Sequence, residues 1–196
     1  MIKLPMDYEQ AETFEGNRIR RLLPAGGYIC QIKDAKETHT ADGRPMVELY
    51  LDVFEGEYKD FFTAQYSAAI RKGYNPKWRC IYRQPIIKKD KATNPRFKGM
   101  ITAIQDSNPN ASLIVQGQLN VDLMKNCLVG VIFKEDHSVW QGREIIKAVP
   151  DGLVNMSKIR NGEYTTPAPR LLTEEEKDQL IVAQGFTEDA SSGLPF

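Results

Sequence analysis

Histidine and cysteine are the residues this chain has least of, and their scarcity removes whole classes of chemistry. Cys30, Cys80 and Cys127 are odd in number and widely spaced, with no CxxC pair, and the only histidines are His39 and His137. Such a set does not predict a zinc site, and it makes a reduced, cytoplasmic compartment the default expectation. No apolar run approaches the length needed to cross a bilayer, so no membrane association is expected. The opening Met1-Ile2-Lys3-Leu4-Pro5 lacks the apolar stretch and small-residue cleavage site of a secretory leader. A Walker loop, an HExxH helix and the makings of a Ser-His-Asp arrangement are missing too. Glu174-Glu175-Glu176 reads as a helix start, where acids complement the macrodipole. These absences predict a non-enzymatic protein without cofactor or metal.

Net charge is also lacking, since 26 basic residues balance 26 acidic ones, but the balance is uneven along the chain. Residues 1–17 carry Asp7, Glu9, Glu12 and Glu15 against Lys3 alone. Residues 171–196 carry six acids against Lys177 alone. Between these negative ends, residues 71–98 hold ten cations and one acid, Asp90, a local balance of +9. Tyr74, Trp78, Tyr82 and Phe97 are spaced among those cations. Phosphates attract cations without regard to base sequence, and bases stack on aromatic faces. The combination suits single-stranded nucleic acid. The competing reading is a solvated, charged excursion whose aromatics tuck back onto a core.

Along the chain, residues 28–36 alternate as a strand, and Asp42-Gly43 is a hairpin signal. Residues 46–54 show the clearest alternation, with Val47, Leu49, Leu51 and Val53 on one face and Glu48, Tyr50 and Asp52 on the other. A third strand is predicted over 59–66, followed by the basic excursion, in which 78–82 and 86–87 could form short strand pieces. Pro95 with Asn94 or Thr93 starts a helix whose stripe is Phe97, Met100, Ile101 and Ile104, and Asp106-Ser107-Asn108-Pro109 ends it. A short helix is expected from 120 or 121 to 128. Residues 129–135 and 144–149 read as a hairpin, with Trp140 at its tip either stacking on a base or folding over its own strands. Beyond Pro150 the pattern dissolves into a linker. Thr173 with Glu176 forms a capping-box signal for a short acidic helix to about Ala183, and 185–196 reads as disordered.

Three strands, an excursion, a helix and two strands follow the element order of an OB-fold. The expected class is therefore mainly β with minor α, a five-stranded OB-fold-like barrel carrying a long basic insertion and a flexible C-terminal tail. The expected divisions are an acidic arm over 1–21, the barrel over 22–150, a linker over 151–172, and an acidic helix with interaction tail over 173–196.

Gly193-Leu194-Pro195-Phe196, with Glu188 and Asp189 upstream, resembles the acidic tip of bacterial single-stranded DNA-binding proteins. Here the acids lie farther from the tip than in that family. Leu22-Leu23-Pro24-Ala25-Gly26-Gly27-Tyr28, Val53-Phe54-Glu55-Gly56-Glu57-Tyr58, Arg96-Phe97-Lys98-Gly99-Met100 and Leu128-Val129-Gly130 are similar to a phage-encoded family. Its members, from phages and mobile elements of Gram-positive bacteria, are OB-fold proteins that bind single-stranded DNA. The resemblance implies a protein that protects single-stranded DNA during replication or recombination of a phage or mobile element in a bacterial cytoplasm. It further implies recruitment of replication or recombination proteins through Leu194, Pro195 and Phe196. Homo-oligomers are usual for such proteins, but no surface in this sequence announces one.

Within the excursion, Lys72, Lys77, Arg79, Arg83, Lys88, Lys89 and Lys91 are the candidate phosphate contacts. Tyr74, Trp78 and Tyr82 are the candidate stacking platforms. Trp78 is the foremost of these because Lys77 and Arg79 flank it, and its competing role is a core anchor that holds the excursion down. Tyr50 is weaker, because Glu48 and Asp52 beside it repel phosphate. The alternative function is a protein-interaction module that binds a recombinase or host replication factor with little or no DNA binding. Replacing Trp78, Lys88 and Lys89 together by alanine would separate the two, and competition with RNA tests a third ligand.

Overall fold

Strict alternation over residues 46–54 marks the centre of the fold. The computed structural model describes residues 22–189, the side chains of 183–189 excepted. The acidic arm and Leu194, Pro195 and Phe196 lie outside the described residues.

Strand β1 (Gly26–His39) and strand β2 (Pro45–Val53) pair antiparallel on either side of a turn at Thr40-Ala41-Asp42-Gly43-Arg44. Gly43 takes a positive φ of 80° there, and its N–H bonds to the Thr40 carbonyl at 2.9 Å. Val47, Leu49, Leu51 and Val53 are all fully buried, as the alternation predicts. On β1 the inward set begins with Cys30 and Ile32 and then shifts to Ala35, because the register slips between Ile32 and Asp34. That bulge accommodates Lys33 as an extra residue and bends the strand.

Residues 59–66 do not form a strand. Helix α1 (Phe61–Arg71) takes this place, and the reason is tertiary. Asp60, at the position before the helix, has a φ of 56° and offers no side-chain cap. Asp52, on β2, supplies the cap instead. Its carboxylate accepts the N–H of Phe62 at 2.9 Å, the N–H of Thr63 at 3.0 Å, and the Thr63 hydroxyl. Asp52 is only 1% exposed, so this charge is buried but fully hydrogen-bonded. One turn apart on the helix, Phe62 stacks on Phe133 with centroids 6.3 Å apart, and Tyr66 meets Trp78 at 5.6 Å.

Strand β3 (Ile81–Pro85) pairs with β2, and helix α2 (Pro95–Ser107) follows where the sequence places it. The Asn94 side chain caps α2 by accepting the Arg96 N–H at 3.1 Å. At the other end, Asn108 clasps the helix to the next long strand. Its amide donates to the carbonyls of Ile104 and Leu128, both at 2.7 Å, and its carbonyl accepts the Leu128 N–H at 2.9 Å.

A two-residue-wide hairpin, β4 (Ile114–Val115) with β5 (Gln118–Leu119), was not anticipated. A single 3-10 turn over Val121–Met124 replaces the helix expected there. The final hairpin consists of β6 (Leu128–Trp140) and β7 (Arg143–Val154), longer than expected, so only Gln141-Gly142 remains as its turn.

The five long strands form one antiparallel sheet in the order β3-β2-β1-β6-β7. β3 and β7 are its edges and are not hydrogen-bonded to each other, so the expected five-stranded barrel is corrected to an open sheet. α2 covers the buried face, and its Met100, Ile101 and Ile104 join Leu49, Val131 and Phe133 of the strands in one core.

The chain stays ordered past Pro150. β7 runs to Val154, and helix α3 (Met156–Arg160) docks through Ile159 onto Gly27 and Gly130. A Cβ at Gly130 would lie 2.6 Å from Ile159 Cγ1 and 2.9 Å from the Val154 carbonyl. Gly130→Ala is therefore expected to lower stability by about 2 kcal/mol in urea unfolding, since the backbone carbonyl cannot yield cheaply. Helix α4 (Glu174–Asp189) opens with the predicted capping box. Glu176 accepts the Thr173 N–H at 2.9 Å, and the Thr173 hydroxyl accepts the Glu176 N–H at 3.2 Å.

Candidate nucleic-acid interface

The unsealed seam between β3 and β7 is a groove. Ile81 and Arg83 of β3 form one wall, and residues 145–150 of β7 form the other, with Phe61, Phe62 and Trp78 contributing rings. Its volume is about 500 Å³. Four cations line it, Lys77, Arg79, Arg83 and Lys147, and no described acid does. Two of the four are paired with the carboxylate directly opposite them on the neighbouring strand. Arg83 Nε lies 2.6 Å from Glu48 Oε1, and Lys147 Nζ lies 3.5 Å from Asp136 Oδ2. Lys77 and Arg79 reach the groove from the loop between α1 and β3.

A second depression, of about 740 Å³, runs along α1 beside the groove and shares Phe61, Gln65 and Arg79 with it. Lys72 and Tyr74 belong to this one. Tyr74 is 68% exposed, and glycine at 73, with a φ of 78°, lets the chain leave the helix and present it. Lys72, Tyr74, Lys77, Arg79 and Arg83 thus border two adjoining hollows around the same arginine.

The structure separates the remaining candidates from this group. Trp78 is half-buried, its ring packs against the core, and its indole N–H donates to the Leu51 carbonyl at 3.1 Å. It anchors the loop while showing part of its ring to the groove. Tyr82 is corrected outright as a stacking platform. Its ring is 7% exposed among core side chains, and its hydroxyl donates to Gln84 Oε1 at 3.1 Å. Lys88, Lys89 and Lys91 lie past Pro85, at the other end of β3, and line neither hollow.

Trp140 has two readings from the sequence, a stacking platform or a cover over its own hairpin. At the last position of β6 it is 64% exposed, so it does not fold over its own hairpin. The β6–β7 ribbon extends past β1, whose pairing with β6 stops at Gly26↔Phe133. Exposed Ile145 and Ile146 lie along the ribbon and also face the groove. On the free side of β6, Arg170 pins the chain leading to α4. Its N–H donates to the Glu135 carbonyl at 2.9 Å, its carbonyl accepts the His137 N–H at 2.9 Å, and its guanidinium reaches Glu176 at 3.0 Å.

His137 joins the two strands of the ribbon, with Nδ1 2.6 Å from Glu144 Oε1 and Nε2 2.7 Å from Glu135 Oε1. The Glu144 bond and then the Glu135 bond push its pKa above the ordinary histidine value. A raised folded pKa means that the tie is complete below the ordinary value and is lost as pH rises through the folded one. Hydrogen exchange in residues 137–144 is therefore expected to quicken, beyond its intrinsic base catalysis, as His137 deprotonates. A His137→Gln variant should lack that step.

Among the described residues, no three His, Cys, Asp or Glu side chains gather in a way that could hold a metal ion. No described helix is long and apolar enough to cross a membrane. No protein-family model matches this chain, and no curated protein matches it significantly.

Proposed function

We propose that this protein binds single-stranded DNA in the groove between β3 and β7. The observation that carries the reading is the lining of that groove, with cations on both walls, Phe61 and Trp78 between them, and no described acid. Backbone phosphates would lie against Lys77 and Arg79, and bases would meet the rings and the Ile81–Ile145 surface. Tyr74 offers an exposed ring at one end, and Trp140 offers another on the ribbon. Base–aromatic stacking contributes about 1–3 kcal/mol per base and tolerates any sequence.

Strand order also supports this reading. An OB-fold places its first strand between the second and the fourth, with the third and fifth strands meeting last. With the two-residue hairpin set aside, β3-β2-β1-β6-β7 has that order with the last seam open, and α2 bridges the third and fourth strands. OB-folds are partly open barrels that bind strands across their face and their loops.

The biological setting we propose is replication or recombination of a phage or mobile element, with the Leu194-Pro195-Phe196 tip recruiting partner enzymes. Titration of labelled oligo-dT at two salt concentrations tests the binding directly. Affinity should be present at low salt and fall steeply as salt rises. Absence of binding at low salt would end the proposal.

A further inference from the structure

Lys88, Lys89, Asp90 and Lys91 form a tight loop held at both ends. The Lys88 N–H bonds to the Ala92 carbonyl at 2.8 Å, and the Lys91 N–H bonds to the Lys88 carbonyl at 3.1 Å. Ile87 bridges Thr93, and Arg44 from the β1–β2 turn donates to the Ile87 carbonyl at 3.1 Å. The Ile86 N–H bonds to the Pro45 carbonyl at 2.9 Å, which ties the loop's base to the same turn. The loop is therefore a fixed presentation of charge.

Its single acid is committed internally. Asp90 pairs with Lys88 at 3.1 Å and accepts the Ala92 N–H at 3.0 Å. Lys89 and Lys91 are exposed, and among the described residues their side chains have no hydrogen-bond or ion-pair partner. Lys91 sits at a φ of 66°, a left-handed position that glycine or asparagine fills with less strain.

The loop stands apart from the groove. From Arg83, the last groove residue on β3, six residues of chain lead to Lys89, and the whole of β3, roughly 15 Å, lies between the Lys77–Arg79 group and this loop. Arg83, at its middle, points outward between buried Tyr82 and Gln84. We infer that Lys89 and Lys91 form a second, separate contact for the same single strand, reached only by a strand long enough to leave the groove and run along β3. The inference rests on the groove reading above. It adds a length dependence that a single binding cleft would not have.

The test uses full-length protein and labelled oligo-dT of about 8 and about 20 nucleotides, chosen to straddle the span of one OB-type site. Oligonucleotide is kept in excess so that one protein sits on each strand. For Lys89→Ala/Lys91→Gly, affinity for the short oligonucleotide should stay within about twofold of the parent protein. Affinity for the long one should fall on the order of tenfold or more at 0.1 M salt, with a shallower salt slope. The melting temperature should be equal or higher, because glycine relieves the left-handed backbone.

Equal losses at both lengths, or none at either, would overturn the inference while leaving the groove reading in place. A lowered melting temperature with loss at both lengths would make the loop structural and overturn it as well. Failure of the parent protein to bind either oligonucleotide would remove both readings.

Discussion

Asp52→Ala is expected to cost about 4 kcal/mol of unfolding free energy. The carboxylate receives the N–H groups of Phe62 and Thr63 and the Thr63 hydroxyl, and it also accepts its neighbour's N–H from Val53 at 2.9 Å. Alanine strips these donors of their acceptor where water reaches poorly, and each buried donor left unsatisfied costs about 1–3 kcal/mol. Domains of this size have only about 5–15 kcal/mol in total, so the variant should sit near the edge of folding. Asp52→Asn is expected to lose less, about 2 kcal/mol, because its oxygen still accepts the Phe62 N–H and the Thr63 hydroxyl can turn to accept from the new amide. Urea unfolding of the two variants checks the ranking. A loss below about 1 kcal/mol for the alanine variant would mean that α1 is held by Phe62 and Tyr66 packing rather than by its cap.

The same carboxylate marks the limit of what the sequence discloses. β2 was legible because a half-buried strand writes its environment into every second residue. α2 was legible because Pro95, Asn94 and the Asn108 end signal are local. α1 was not, because Phe61 and Phe62 mimic a strand and the helix start is fixed by a residue on another element, eight positions before its own N-cap. Barrel closure was likewise out of reach, since it depends on whether two edge strands exchange hydrogen bonds, and neither edge encodes the other.

Trp78 and Tyr82 divide differently. Nothing in the sequence around Trp78 reveals that its indole N–H has the Leu51 carbonyl to bond. Tyr82, however, shares alternation with Cys80 and Gln84, all three buried, against Ile81 and Arg83. That period-two signal places its ring inward, whatever the charge of its neighbours. The positive charge is concentrated along residues 71–98 of the chain. The fold distributes it to two ends of β3, which no linear count can show.

Lys77→Ala/Arg79→Ala is expected to produce the largest loss of nucleic-acid affinity, and the loss should depend on salt in a way that identifies its cause. Each phosphate contact on a single strand contributes a salt slope of about 0.7. Removing two lowers the slope by about 1.4, which at 0.1 M salt corresponds to roughly a 25-fold weaker complex. At 0.5 M the same two contacts account for only about a threefold difference, so the two titration curves should converge as salt rises. Arg83 and Lys147, each already facing a carboxylate, should show smaller losses when replaced singly. Trp78→Ala should behave in the opposite manner. It removes a core contact and a hydrogen bond to the Leu51 carbonyl, so its affinity loss should persist at high salt and be accompanied by lower stability. If the Lys77/Arg79 variant lost affinity by the same factor at every salt concentration, the two cations would be shaping the loop rather than meeting phosphates. In that case the groove could no longer be assigned to a polyanion on the strength of its charge.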